Sequence, residues 1–160
     1  ILAILKSKSW GNSRTPTQCN DSIHAGFTTG RPWISTGKDY EQINVEKSQV
    51  DEDSVFHHYK KLINLRKEFD IISTGTYDSL LLDHEQIFAY TRKLGNQMLL
   101  VVNNFYGKDT LFKLPEDIAI EEYNKQILIS NYNDSSQDLT EFTLRPYESI
   151  CYLLEKNVRI

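Results

Sequence analysis

The chain has 160 residues, 39% apolar and 25% charged, with 18 Lys and Arg against 22 Asp and Glu for a net charge of −4. That is about one domain, or one domain and a piece of another, and a chain of this length can bury roughly 70% of its unfolded surface. The mixture excludes a disordered or fibrous chain, the acidic balance argues against a nucleic-acid partner, and no apolar run approaches the ~18 residues of a membrane span.

In chain order, Ile1, Leu2, Ile4 and Leu5 lie on one face of a short amphipathic helix predicted over residues 1–9. The chain opens without Met and without a signal-peptide pattern, which leads us to expect a fragment. Residues 10–52 carry Gly11, Pro16, Gly26, Gly30, Pro32 and Gly37 among Asn, Ser and Thr, a loop composition. A loop of about forty residues far exceeds the ~12–15 usual in a compact domain. Phe27, Trp33, Ile34, Tyr40, Ile43 and Val45 within it predict an ordered loop that packs on a surface.

A helix over 54–69 follows, with Val55, Phe56, Tyr59, Leu62, Ile63 and Phe69 spaced as one buried stripe. Asp53 or Ser54 supplies its N-cap, and Lys60, Lys61, Arg66 and Lys67 occupy its outer face and last turn. From residue 71 the period changes to two. Strands are predicted at 76–82, 86–93, 97–105, 110–114, 126–131, 139–144 and 147–154, with Gly95-Asn96 as a hairpin turn. This is an α+β chain: a loop-plus-helix segment over 1–70 and an antiparallel β-sandwich over 71–160.

Spacing alone exposes no catalytic set. His24, His57, His58 and His84 show no metal-ligand spacing, and no phosphate-loop, dinucleotide or G-x-S-x-G pattern occurs. No metal and no cofactor is expected. Cys19 and Cys151 are too few for a secreted disulfide framework and read as reduced thiols of a cytoplasmic protein. Asn103-Asn104-Phe105 and the aromatics of the β region read either as a sugar-stacking face or as core. The alternation places Phe88, Tyr90 and Phe105 among core neighbours.

The stretch Ser9-Trp10-Gly11-Asn12-Ser13-Arg14-Thr15-Pro16-Thr17-Gln18-Cys19-Asn20, then Ala25-Gly26-Phe27-Thr28-Thr29-Gly30-Arg31-Pro32-Trp33, resembles a family signature. It is similar to S-R-D-N-[AS]-R-T-P-M-Q-W-[DN] and A-G-F-T-T-G-x-P-W of the α-glucosidases of glycoside hydrolase family 13. Tyr40–Glu46, Asp53–Phe56, Leu62–Glu68 and Leu144–Ser149 extend the likeness over essentially the whole chain. Asn12-Ser13-Arg14 and the wording of the β region resemble the trehalose-6-phosphate hydrolases, with oligo-1,6-glucosidases as the close alternative and a stand-alone carbohydrate-binding or interaction module as a third reading.

The resemblance implies the last loop and helix of a (β/α)₈ barrel followed by a C-terminal antiparallel β-sandwich. It implies a retaining mechanism with two carboxylates ~5 Å apart. Those carboxylates belong to strands upstream, so no catalytic residue is expected here and the chain alone should be inactive. Arg14 matches the arginine that contacts the substrate's glucose, which makes it the one expected substrate-binding residue. The implied partner is an oligosaccharide or disaccharide-phosphate substrate of the intact enzyme. Trp10-Gly11 stands where the family has R-D, and Thr17-Gln18-Cys19 where it has M-Q-W, a pattern that suits a truncated or decaying gene. An uncovered barrel helix also predicts a homodimer through its apolar face.

Overall fold

The computed structural model describes residues 14–156, so the expected helix over 1–9 and the substituted Trp10 and Gly11 lie outside the described residues. The chain divides into two compact units at the Lys61–Leu62 bond.

In the first unit the long loop is not wholly irregular. It contains a helix α1, Val45–Val50, and a 3₁₀ turn, Ile23–Gly26. The expectation of loop throughout 10–52 is therefore corrected. Six residues give no readable apolar period, and α1 is specified by its cap. Asn44 Oδ1 accepts from Lys47 N at 2.9 Å, and Asn44 Nδ2 donates to Tyr40 O at 2.8 Å. The loop's larger side chains face outward, with Trp33 95% exposed.

Helix α2, Val55–Glu68, begins where predicted, with His57 N at 3.4 Å from the capping Ser54 Oγ. Ser54 Oγ also donates to Ser48 O at 2.6 Å, joining the end of α1 to the start of α2. The expected buried stripe is corrected: α2 buries none of its residues, and Val55, Tyr59, Leu62 and Ile63 are exposed. The period was that of an amphipathic helix, but the described residues supply little to cover it. Within the second unit, Leu65 and, just beyond the helix, Phe69 pack against a cluster of Ile71, Leu99, Leu128 and Leu153.

A single helical turn, α3 (Ile71–Thr74), precedes seven strands: β1 Thr76–Leu80, β2 Ile87–Leu94, β3 Gln97–Asn104, β4 Thr110–Lys113, β5 Tyr123–Ser130, β6 Glu141–Leu144 and β7 Ser149–Lys156. The sequence had placed the change to period two at residue 71 itself, whereas Ile71 is fully buried in α3. The strands form an antiparallel five-stranded sheet in the order β1-β2-β3-β7-β5 and a two-stranded β4-β6 sheet. Between β2 and β3, Gly95 takes φ +58, which the first position of a tight hairpin turn needs.

Met98, Leu100 and Val102 of β3 and Ile150, Tyr152 and Leu154 of β7 pack with Phe112, Phe142 and Leu144 in the core. Leu99 and Leu153, of opposite parity, are buried on the other face with Ile71. β3 and β7 thus read as nearly continuous apolar runs because both faces are covered.

The motif Leu144-Arg145-Pro146-Tyr147-Glu148-Ser149 builds the β6–β7 turn. Glu148 is 2% exposed and accepts from Ser135 Oγ at 2.6 Å and from Arg145 N, Nε and Nη2 at 2.9, 3.0 and 2.8 Å. Burial pushes the Glu148 carboxyl up, but these donors outweigh it and hold its pKa below the usual value. Tyr147 sits in the left-handed region at φ +56. The turn runs to Glu148, so β7 starts two residues later than predicted.

One expectation about the aromatics is overturned. Phe88 and Phe105 are 43% and 66% exposed, and Tyr90 is half-buried. Ile87, Ala89 and Thr91 are the inward residues of β2, so Phe88 and Tyr90 lie on its other face. With Tyr77 they form a row of ring contacts, Tyr77–Tyr90 at 5.2 Å, Tyr90–Phe88 at 5.6 Å and Phe88–Phe105 at 6.2 Å. β2 carries apolar residues at both parities, so alternation alone could not choose the inward face.

Candidate functional site

The site is built on the loop of the first unit. Thr15 to Asn20 carry no regular secondary structure and are fastened at the far end of the segment. Val45 N donates to Gln18 O at 2.8 Å, Glu46 N to Cys19 O at 3.1 Å, and Gln18 Nε2 to Ile43 O at 2.5 Å. The first turn of α1 therefore holds the strip that leads back to Arg14. Gly37 leaves room for this: a Cβ there would stand 2.2 Å from Gln18 Oε1.

A second fastening is a left-handed turn. His24 and Ala25 both have φ +57 and Gly26 has φ +65. Left-handed backbone costs roughly 1–2 kcal/mol for each non-glycine residue. The turn is held because Ala25 O accepts from Cys19 N at 2.8 Å and Asn20 N at 3.2 Å, with Ala25 fully buried. Strain retained in this way concentrates at functional sites. Here it reverses the chain so that Phe27, Thr28 and Arg31 return alongside Arg14 and Thr15.

Together they line a cavity of about 490 Å³, whose residues include Arg14, Phe27, Arg31 and Trp33. That volume falls in the range of small-ligand sites. Arg14, the residue expected from the sequence, is exposed on this cavity, and Arg31 is exposed there too. Both are cations, and among the described lining residues none is acidic. The arrangement can bind: guanidinium forks read paired oxygens, and Phe27 and Trp33 offer flat apolar faces. Among the described lining residues no carboxylate, histidine or cysteine is present to act as nucleophile or general acid. Among the described residues no group of three or more His, Cys, Asp or Glu is placed to hold a metal ion.

Sequence reasoning did not single out Arg31, a second cation on this cavity, which occupies the variable position of the G-x-P-W stretch. The only available signal was its position just before Pro32, whose ring fixes φ and restricts the residue ahead of it. Cys19, weighed as a nucleophile, sits with its Sγ 3.8 Å from Thr17 O and no histidine recorded against it among the described residues. The four histidines do not assemble: His57 Nε2 lies 3.0 Å from Gln49 O, and His84 Nδ1 accepts from Ile87 N at 2.9 Å.

The order of elements, a long anchored loop carrying an arginine, one amphipathic helix and an antiparallel sandwich, matches the end of a carbohydrate-cleaving barrel enzyme. Residues 1–75 match the alpha-amylase catalytic domain, and residues 87–151 match the alpha-amylase SusG C-terminal domain. The chain belongs to the alpha-amylase family of glycoside hydrolases, family 13, where it corresponds to the last loop and helix of the barrel and the C-terminal sandwich.

Within the family it is 47% identical over 156 residues to the trehalose-6-phosphate hydrolase of Bacillus subtilis (strain 168), covering 98% of this chain and 28% of that enzyme. It is 49% identical over 153 residues to the oligo-1,6-glucosidase of Parageobacillus thermoglucosidasius, covering 95% of this chain and 27% of that enzyme. The crystal structure of Bacillus licheniformis trehalose-6-phosphate hydrolase superposes with a TM-score of 0.91 at 52% identity, over 97% of this chain and 28% of that one. The chain thus spans just over a quarter of the length of these relatives. No described helix is long and apolar enough to cross a membrane.

Proposed function

We propose that this chain is the C-terminal part of a cytoplasmic retaining α-glucosidase that hydrolyses trehalose 6-phosphate, and that it is inactive alone. In this reading residues 1–70 are the end of the catalytic barrel and 71–160 the C-terminal sandwich. Arg14 is its substrate contact and holds a hydroxyl of the scissile glucose by its fork of donors. The carboxylates that attack the anomeric carbon and protonate the leaving oxygen come from the barrel upstream. The observation that carries the reading is Arg14 on a cavity-bearing, strained and multiply fastened loop, in a chain that matches trehalose-6-phosphate hydrolases over nearly its whole length. Oligo-1,6-glucosidases match at similar identity and form the neighbouring reading.

The test is a chimera in which this chain replaces the matching segment of the Bacillus subtilis enzyme. It should hydrolyse trehalose 6-phosphate in preference to isomaltose, while the 160-residue chain alone hydrolyses neither. Arg14→Ala should lower kcat/KM of the chimera by about a hundredfold, as expected for loss of a positioning clamp. An unimpaired Arg14→Ala chimera would make Arg14 a loop anchor, and a preference for isomaltose would favour the oligo-1,6-glucosidase reading.

The exposed apolar residues of α2 support self-association of the chain through that helix. Light scattering should give a dimer that Ile63→Lys dissociates; a monomeric wild-type chain would refute it. A carbohydrate-binding module remains the second reading, favoured by the outward row of Tyr77, Tyr90, Phe88 and Phe105. Retardation in a gel containing soluble α-glucan, abolished by Phe88→Ala with Phe105→Ala, would establish it.

A further inference from the structure

We infer that the outward row of Tyr77, Tyr90, Phe88 and Phe105 is a docking surface, and that its occupant is the part of the catalytic domain that precedes this chain in the intact enzyme. The inference rests on the first reading of function, the C-terminal part of a barrel enzyme, and competes with the second reading for the same rings.

Register places the row on a face that is already partly covered. Across the sheet, Tyr77, Arg92, Leu99 and Leu153 stand side by side, and the next line holds Tyr90, Val101 and Cys151. The first line has a cover: Ile71 packs with Leu99 and Leu153, Leu65, Phe69 and Ile72 pack against them, and Arg92 Nη1 donates to Gly75 O at 3.1 Å. Phe88 and Phe105 continue the same face beyond that cover and are exposed.

The chemistry of the uncovered part is that of an interface. An antiparallel sheet face turned to water carries polar and charged side chains. Here the cross-strand neighbours of Tyr90 and Phe88 are Ser79, Val101 and Asn103, none of them charged. Aromatic enrichment with loss of charge marks the core of a protein interface. The polar groups on the face are spent on one another: Asn103 Nδ2 donates to Phe88 O at 3.1 Å, and Ser149 Oγ donates to Asn103 Oδ1 at 2.6 Å. A sugar needs placed polar partners for its hydroxyls as well as a ring to lie on, and few are left here. Successive rings are also tilted, by 35°, 54° and 63°, which makes an uneven surface suited to interdigitating side chains.

The occupant follows from what already sits there. Residues 1–75 match the catalytic domain, so Leu65, Phe69, Ile71 and Ile72 are its end, and they lie on this face. The chain covers 28% of the Bacillus subtilis enzyme, so an intact protein of that length has a large further stretch to extend the same cover.

The experiment is hydroxyl-radical footprinting with peptide mapping, on the dilute 160-residue chain and on the chimera that carries it in the Bacillus subtilis enzyme. Phe88 and Phe105 should be oxidised readily in the chain alone and at least about fivefold more slowly in the chimera, where an interface core excludes water. Leu111, exposed on the two-stranded sheet, should react equally in both. As a second arm, Phe88→Ser with Phe105→Ser should leave the Tm of the chain alone within about 3 °C, as for exposed positions. The same pair should shorten the half-life of the chimera on heating by about tenfold or more. A row that reacts equally in both proteins would overturn the inference. So would protection of the row in the chain alone by soluble α-glucan or by raising the protein concentration, which would assign the face to a sugar or to a second copy. A chimera that turns over trehalose 6-phosphate with an unprotected row leaves the first reading standing and removes only this inference.

Discussion

Replacing Glu148 by Gln tests what holds the sandwich's most polar corner together. The carboxylate accepts four hydrogen bonds, three of them from Arg145, at 2.6 to 3.0 Å in a site that is 2% exposed. A glutamine can place its oxygen at only one of the two positions. If it keeps the partners of Oε1, its NH₂ faces the backbone N–H and Nε–H of Arg145, donor against donor. Two buried charge-assisted bonds are lost, each worth about 1.5–3 kcal/mol, and two donors are stranded. We expect a loss of about 3 kcal/mol, which for a domain of this size lowers Tm by roughly 12–20 °C.

Thermal melting followed by near-ultraviolet circular dichroism measures it directly. The pH dependence adds a second arm. Because the folded pKa of Glu148 lies below its unfolded value near ~4.3, the stabilisation is complete above that value and is lost as pH falls through the folded pKa. The gap between wild type and Glu148→Gln should therefore close on acidification. Asp134→Asn removes only the exposed end of the network, the 2.6 Å bond to Arg145 Nη1, and should shift Tm little. A Glu148→Gln protein that melts within a few degrees of the wild type near pH 7, or a gap that stays constant as pH falls, would refute the reasoning.

Other outcomes follow from single positions. Thr91 Oγ1 is buried in the centre of β2 with no hydrogen-bond partner among the described residues, so Thr91→Val should stabilise the protein by about 1–2 kcal/mol in denaturant melts. Gly75→Ala should cost about 1–3 kcal/mol, because its Cβ would stand 2.6 Å from Ile71 O and 3.3 Å from Arg92 Cβ, backbone and packed atoms that cannot easily yield. The Cys151 thiol is pushed up to about 12 by burial, so a thiol reagent near pH 8 should modify Cys19 first and reach Cys151 only on unfolding. Peptide mapping after brief labelling checks the order.

Most of the strand pattern was legible because β-branched and aromatic runs broken by Gly-Asn or Arg-Pro leave few alternatives. What escaped the sequence did so for identifiable reasons. Helix α1 is six residues long and depends on one Asn44 side chain, not on an apolar period. The outward row of Phe88 and Tyr90 was hidden because β2 is apolar at both parities, and register against β1 and β3 decides the face. The amphipathic period of α2 was read correctly, but amphipathicity specifies a face to be covered and not the presence of a cover. At the cavity of the loop, Arg14 was expected from a motif. Arg31 stood at that motif's variable position, and only the folding back of the loop through His24–Gly26 brings it to the same cavity.

The place of β7 in the sheet has a consequence for synthesis. It pairs with β3 from Gln97↔Glu155 to Asn103↔Ser149 and with β5 on its other side, so the last strand described is also a central one. While the chain is emerging from a ribosome, β1 to β3 can form a meander, but Leu99 and Leu100 have no neighbour beyond them and β5 has no sheet to join. The sandwich closes only when β7 has cleared the exit tunnel and inserts between β3 and β5, partners made long before. Contacts that distant in sequence form slowly. Until β7 inserts, a nascent chain presents two open strand edges, at β3 and at β5, which makes the interval before β7 emerges a period of exposure to aggregation.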